Sequence, residues 1–588
     1  MKKMLALLLA ALMLTGCAAN TVAEATTVET TASTEAAPAE TLSSSEHVSR
    51  FDSETVIVLS DEGITVNGGE ETDTVYTSHD IIYYEDRDTY ESGNPYGEGE
   101  ENQRHSAEEA AAHTVVNITA PGAYRVSGTL SAGQIRIDLG DDAYDDPDAV
   151  VELILEDADI TCTVAPAILF LNTYECDGNW STETAQANVD TSDAGANLIL
   201  YGENQVSGSH VARIYKDAEG EKKLWKQDGA IYSYMSMNVY GPGSLDLIAD
   251  NEGLDTELHL TINGGNIAIR SQDDGINTNE DGVSVTTING GSLHIIAGLG
   301  SEGDGIDSNG YLVINGGTVV ASANPASDAG LDSDLGSYIN GGTVVALGST
   351  MDWAESDSEQ VTMNLQFAQY QSSGSAIVVT KEDGTVVFAY DPSEDEVLGE
   401  NMRQFMGAVI SCPQFVQGES YNVYLDGIVT GSDIGGVYDI STITAYEGGT
   451  QMQYTGTDVS MGFGGRGGQG PGGKDFQDFD GERPELPDGE TMPEGGFGGR
   501  GGQKEDGPGG FGGERPEGFG GEMSEDFEGK MPLPDGETLP EGETPPDGDR
   551  FEGGRPDGAG MNASGEANTV FYMQDKVNAF SGVSAVAE

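Results

Sequence analysis

Four copies of Asn-Gly-Gly recur at nearly constant spacing: Asn263-Gly264-Gly265, Asn289-Gly290-Gly291, Asn315-Gly316-Gly317 and Asn340-Gly341-Gly342, in steps of 26, 26 and 25 residues. Each follows an Ile (Ile262, Ile288, Ile314, Ile339) and precedes a short run of strand formers, such as Ile267 and Ile269 or Leu293, Ile295 and Ile296. A fixed period of this length with strand-like content marks a chain that stacks on itself, each coil burying its neighbour's apolar face. The expectation is an all-β chain built as a parallel β-helix, a solenoid. In such a coil the Asn side chains stack at one corner and bond to the next rung, which makes them scaffolding.

A second motif occupies a different corner of the same coils. Its copies are Glu252-Gly253-Leu254-Asp255-Thr256, Asp274-Gly275-Ile276-Asn277-Thr278, Asp304-Gly305-Ile306-Asp307-Ser308 and Ala329-Gly330-Leu331-Asp332-Ser333. The apolar third residue points inward, Gly permits the bend, and the polar residues face outward. Rungs lie about 4.8 Å apart, so each carboxylate meets like charges above and below. Repulsion at that distance is about 1 kcal/mol per pair even in water, and larger when buried. From Ile231 to Thr380 the sole Lys or Arg is Arg270. A hard divalent cation is then the economical neutraliser, and Ca²⁺ accepts mixed carboxylate, carbonyl and amide oxygens. Asp273, Asp274, Asn277, Asp304, Asp307, Asn309, Asp332 and Asp334 form the expected ligand group.

Charge excludes other partners. With 25 Lys and Arg against 101 Asp and Glu, the formal net charge is −76, which argues against nucleic acid or an anionic membrane surface. The N-terminus carries a targeting signal. Lys2 and Lys3 precede an apolar run from Met4 to Leu14 that is too short to span a bilayer. The run ends in Leu14-Thr15-Gly16-Cys17, which resembles the bacterial lipoprotein signal; that resemblance implies cleavage after residue 16, lipidation of Cys17 and a cell-surface, membrane-anchored location. Of the remaining cysteines, Cys162, Cys176 and Cys412, at least one is unpaired, and no Cys/His metal spacing occurs.

Composition divides the chain further. Residues 1–16 read as signal peptide, 17–50 as a disordered tether, 51–360 as the β-helix domain, and 361–460 as a β cap or small β domain. Residues 461–567 are Gly, Pro, Glu and Asp with duplications such as FGGRGGQ at 463–469 and 497–503, a composition that reads as disordered. Residues 568–588 end the chain with apolar residues expected to dock back on the body. Loop-like insertions fall at about 172–196 and 212–228, and insertions in repeat arrays often build the binding face.

The run from about 115 to 460, with its INGG(T/S/N) repeats, its (D/E)-G-(I/L)-(D/N)-(S/T) turns and the opening PGAYRVSGTL, resembles a family of bacterial cell-surface carbohydrate-binding proteins. That family is known from clostridial examples as a cellulose- and acidic-sugar-binding, pectate-lyase-like β-helix group. The resemblance implies a right-handed parallel β-helix, bound Ca²⁺ at the Asp and Asn turns, and a plant-type polysaccharide partner. Aromatic platforms for sugar rings are expected from Trp180, Trp225, Tyr232, Tyr234 and Trp353. Binding without turnover is favoured. The alternatives are a Ca²⁺-dependent polysaccharide lyase, for which Arg270 is the candidate base, and a structural or adhesive surface role.

Overall fold

The structure is a computed structural model, and it describes residues 47–84, 103–212, 226–349, 352–392, 404–457 and 567–587. The expected signal peptide, lipidated Cys17, the tether up to residue 46 and the Gly-rich segment up to residue 566 fall outside these residues, as does Trp225. The all-β expectation holds. Hydrogen bonds join 26 strands in one large mixed sheet and nine in a second, beside a five-residue helix, Ala107–Ala111.

Within these sheets the repeat generates three parallel stacks. One runs through Ser244–Ala249, Asn266–Ser271, Ser292–Ile296, Thr318–Ser322 and Thr343–Gly348. A second runs through Met237–Tyr240, Leu260–Ile262, Val285–Ile288, Tyr311–Ile314 and Gly336–Ile339. The third runs through Gly229–Ser233, Glu252–Thr256, Ile276–Thr278, Ile306–Ser308 and Leu331–Ser333. Each period of the sequence therefore contributes one strand to each stack. Earlier in the chain the first two stacks are continuous: the single strand Val151–Thr161 pairs with Ala196–Tyr201 along its first half and with Glu203–Gly208 along its second.

Asn-Gly-Gly makes the corner that separates the second stack from the first. The last Gly of each copy has positive φ (98°, 85°, 81° and 84°), the region that glycine alone enters without strain. The Asn amides form a ladder. Asn289, Asn315 and Asn340 each donate from Nδ2 to Oδ1 of the Asn one rung earlier, all at 2.9 Å. Between the stacks, Ile262, Ile288, Ile314 and Ile339 share one buried core with Leu254, Ile276, Ile306 and Leu331.

Open ends of such stacks would expose unpaired backbone. At the N-terminal end Thr65–Val66 and Val75–Ser78 pair antiparallel with Glu54–Leu59 and Thr114–Ile118. At the other end Phe405–Ser411 pairs antiparallel with Thr343–Gly348, and Thr362–Gln371 pairs with it in turn. The final strand, Val577–Ala585, lies parallel to Thr362–Gln371. A second apolar cluster joins Ile296, Val320 and Val345, from the outer face of the first stack, to Phe367, Tyr390, Phe405, Phe571 and Phe580.

The insertion after Asn172 is pinned across the corner between the third and second stacks. Its Glu175 is buried and accepts from the backbone N–H of Ser236 (2.6 Å) and from its hydroxyl (2.9 Å). Asp177 accepts from His259 Nε2 at 3.2 Å, and His259 Nδ1 accepts from the backbone of Val285. Cys162, Cys176 and Cys412 are all free thiols.

Candidate functional site

Strand register in the third stack aligns the polar position of the second motif. Leu169, Tyr232, Asp255, Asn277, Asp307 and Asp332 are successive partners, so the outward row changes from apolar to acidic along the stack. Glu252, Asp274 and Asp304 precede members of this row by three residues, Glu252 at the start of its strand and the two aspartates just before theirs. The glycine between them is required by close approach. An added Cβ at Gly275 would overlap the Ile295 side chain and the Gly305 carbonyl, and one at Gly253 would overlap the Gly275 carbonyl. The expected reason, freedom to bend, is replaced by tight packing of one rung on the next.

The carboxylates are crowded and poorly solvated. Burial pushes the Asp274 carboxyl well above the usual range, and Asp307, Asp273, Asp304 and Glu252 push it further. Asp307 is raised in the same way by burial, then by Asp304, Asp332 and Asp334. Asp255 is raised by burial and by Glu252, while burial and Glu252 hold Asp273 at about 7. Two of these groups also brace the backbone. Asp274 Oδ1 accepts from the N–H of Asp304 at 2.6 Å, and Asp304 Oδ1 accepts from that of Ala329.

A cluster of three carboxylates stands at the start of the acidic row. Asp228, Glu252 and Asp255 are all buried, and each offers a carboxylate oxygen within 4.8 Å of the other two. Asn277 joins them, donating from Nδ2 to Glu252 Oε1 at 3.2 Å. Glu252 Oε2, Asp255 Oδ2 and Asn277 Oδ1 are buried without a hydrogen-bond partner. Buried oxygens of this kind are normally satisfied, so the cluster has free acceptor capacity that could take a metal ion. An all-oxygen donor set from consecutive rungs fits a hard divalent cation such as Ca²⁺.

The expected ligand group is thus partly assembled. Asp273, Asp274, Asn277, Asp304, Asp307 and Asp332 lie on or beside the row. Asn309 serves the adjacent turn, donating to the Asn279 carbonyl at 2.8 Å, and Asp334 follows it one rung later. Sequence reasoning passed over Glu252 and Asp255, although they belong to the earliest copy of the same motif. Asp228 carries no motif signal. It reaches the cluster because Gln227 is bridged to Val211 by paired backbone bonds at the foot of the insertion. Lys226, just outside the stretch poor in basic residues, pairs with Asp228.

The aromatic candidates separate by burial. Tyr232 and Tyr234 are 1% and 4% exposed, packed with Leu169, Leu171 and Met235, and the Tyr232 hydroxyl meets Glu257. Their ring faces are therefore closed to a ligand, a correction to the expected platform, because Ile82 and Tyr144 pack against the same cluster. Trp353 packs against the main core. Trp180 keeps partial exposure, stacks on Tyr144 with ring centroids 6.4 Å apart, and donates from Nε1 to its hydroxyl at 2.7 Å. Arg270 stands on the outer face of the first stack, where Asp246 holds its guanidinium.

Comparison with known proteins bears on this arrangement. Residues 112–391 match the family described as carbohydrate-binding domain-containing protein. A curated carbohydrate-binding domain-containing protein of Acetivibrio thermocellus is 29% identical over 157 residues, covering 26% of this chain and 45% of the relative. The chain thus spans under half the length of that relative. A solved polysaccharide lyase-like protein from C. thermocellum, a gadolinium derivative, aligns at 19% identity over 49% of this chain and 93% of its own, with a TM-score of 0.28 that carries no argument about fold or function.

Proposed function

We propose that this protein is a non-catalytic carbohydrate-binding protein of the bacterial cell surface, a parallel β-helix anchored through a lipidated Cys17. Its partner is a polysaccharide, acidic or plant-type. The observation that carries the reading is the buried Asp228–Glu252–Asp255 cluster, with orphaned oxygens on Glu252, Asp255 and Asn277, within a region that matches a carbohydrate-binding family. Asp228, Glu252, Asp255 and Asn277 would hold Ca²⁺, with Asp274, Asp304, Asp307 and Asp332 as further ligands along the row. A cation held there would supply positive charge to the acidic row that an anionic glycan approaches. Trp180 and Tyr144 offer an aromatic rim beside that row. The three stacks support the β-helix reading, the antiparallel strands after residue 361 act as its cover, and the last strand closes that cover.

Retention of the full chain on immobilised polygalacturonate and on cellulose, with Ca²⁺ and with chelator, tests the reading. Retention on polygalacturonate that falls with chelator supports it; retention unchanged by chelator removes the cation from the mechanism. Absence of retention on any glycan favours a structural or adhesive role. Unsaturated products absorbing in the ultraviolet would mark a lyase, although Arg270 is engaged by Asp246.

A further inference from the structure

The cluster that fits a cation already contains one positive charge. Lys226 reaches Asp228 with its ammonium, whose nitrogen is buried, while the side chain as a whole is 21% exposed, so its stem runs in from the solvent edge. Its charge also lowers the Asp255, Glu257 and Asp273 carboxyls against the upward push of burial. Yet Glu252 Oε2, Asp255 Oδ2 and Asn277 Oδ1 still lack hydrogen-bond partners. The amine neutralises part of the charge without saturating the oxygens.

We propose that Lys226 is an internal counter-ion that competes with a divalent cation for the Asp228–Glu252–Asp255 cluster, so that cation uptake expels the lysine. This rests on the cation reading above and adds a control to it. One carboxylate oxygen from each of the three residues lies within 4.8 Å of the other two, so an ammonium and a dication drawn to this cluster would stand close together. Repulsion between the two doubles that of a pair of unit charges and acts where water screens it poorly. Exchange is mechanically simple. Paired backbone bonds between Gln227 and Val211, at 2.7 and 3.0 Å, hold the chain beside the lysine, so its flexible stem swings without disturbing the stack. The exposed edge offers the displaced ammonium a way into water. A row of acids thereby keeps a cation of its own until a stronger one arrives.

Calorimetric titration of the full chain with Ca²⁺ alone reads the competition in wild type, Lys226→Met and Lys381→Met. The last makes the same change in net charge from an exposed strand end. A competitor filling about nine-tenths of a site weakens apparent affinity about tenfold, so Lys226→Met is expected to bind Ca²⁺ about tenfold more tightly. Lys381→Met is expected to change affinity by less than about twofold, because an exposed charge is screened. Equal affinities in the two variants, or weaker binding by Lys226→Met, overturn the proposal and leave the cation reading standing. Absence of Ca²⁺ uptake by both wild type and Lys226→Met overturns both. A second measurement needs no substitution: acylation of Lys226 by an amine-reactive ester, followed by peptide mass spectrometry, should accelerate several-fold in saturating Ca²⁺. An unchanged or slower rate, with Ca²⁺ bound, refutes expulsion.

Discussion

Replacing Asn315 with Ala tests the corner ladder at its most connected point. Asn315 donates to Asn289 and accepts from Asn340, so the substitution removes two side-chain bonds, each 2.9 Å long. A net intramolecular hydrogen bond contributes about 1 kcal/mol. All three side chains are only partly buried, so water reaches the groups left behind and the larger penalty of a sealed orphan does not apply. The expected loss is about 2 kcal/mol. Asn263 stands at the start of the ladder and accepts one such bond, from Asn289. Asn263→Ala should therefore lose about half as much, about 1 kcal/mol. Urea unfolding of both variants, followed by circular dichroism with the slope checked for constancy, measures the difference. In a stacked array each rung interacts chiefly with its neighbours, so an interior rung should matter more than a terminal one. Equal losses in the two variants would refute the bond count, and a loss below about 0.5 kcal/mol for Asn315→Ala would show the ladder to be ornamental.

Three other outcomes follow from the same geometry. Burial raises Asp273 and Glu280 to about 7 and also pushes Asp255, Asp274 and Asp307 upward, so the folded chain holds protons that the unfolded chain releases near its ordinary values of 3.8 and 4.5. Stability from these groups is present below those values and is lost as pH rises through about 7. In chelator the melting temperature should fall between about pH 5 and pH 8, and a rise over that window would contradict the burial argument. Gly275→Ala forces a Cβ against Ile295 and the Gly305 carbonyl and should destabilise by about 1–3 kcal/mol in urea melts; a neutral effect would mean the rungs part easily. Trp180→Ala should weaken glycan retention about threefold to tenfold, the scale of one aromatic contact, with melting little changed, since Trp180 is partly exposed. Unaltered retention would move the binding surface elsewhere.

Much of this was readable from residue order because the repeat makes local and long-range geometry the same problem. Once a period near 26 is recognised, residues one period apart are neighbours, and both the Asn ladder and the acidic row follow by counting. Counting fails where the chain leaves the period. Lys226 and Asp228 stand at the foot of an insertion and enter the acidic cluster through the Gln227–Val211 bridge, which no spacing announces. Its place beside an insertion predicts an exposed ring for Tyr232, but register sets it between Leu169 and Asp255, within a packed apolar cluster. The turn glycines were recognisable as necessary, yet their reason, contact with the next rung, required the rungs to be in place.

Residue order by itself determined the all-β content, the stacking period and the row of carboxylates, because each depends on a pattern that repeats along the chain. Tertiary structure alone decided which oxygens converge, which aromatic faces stay open, and that a lysine sits among the acids. Those outcomes depend on where insertions fold back and on what water is kept from reaching, and both are properties of the packed strands.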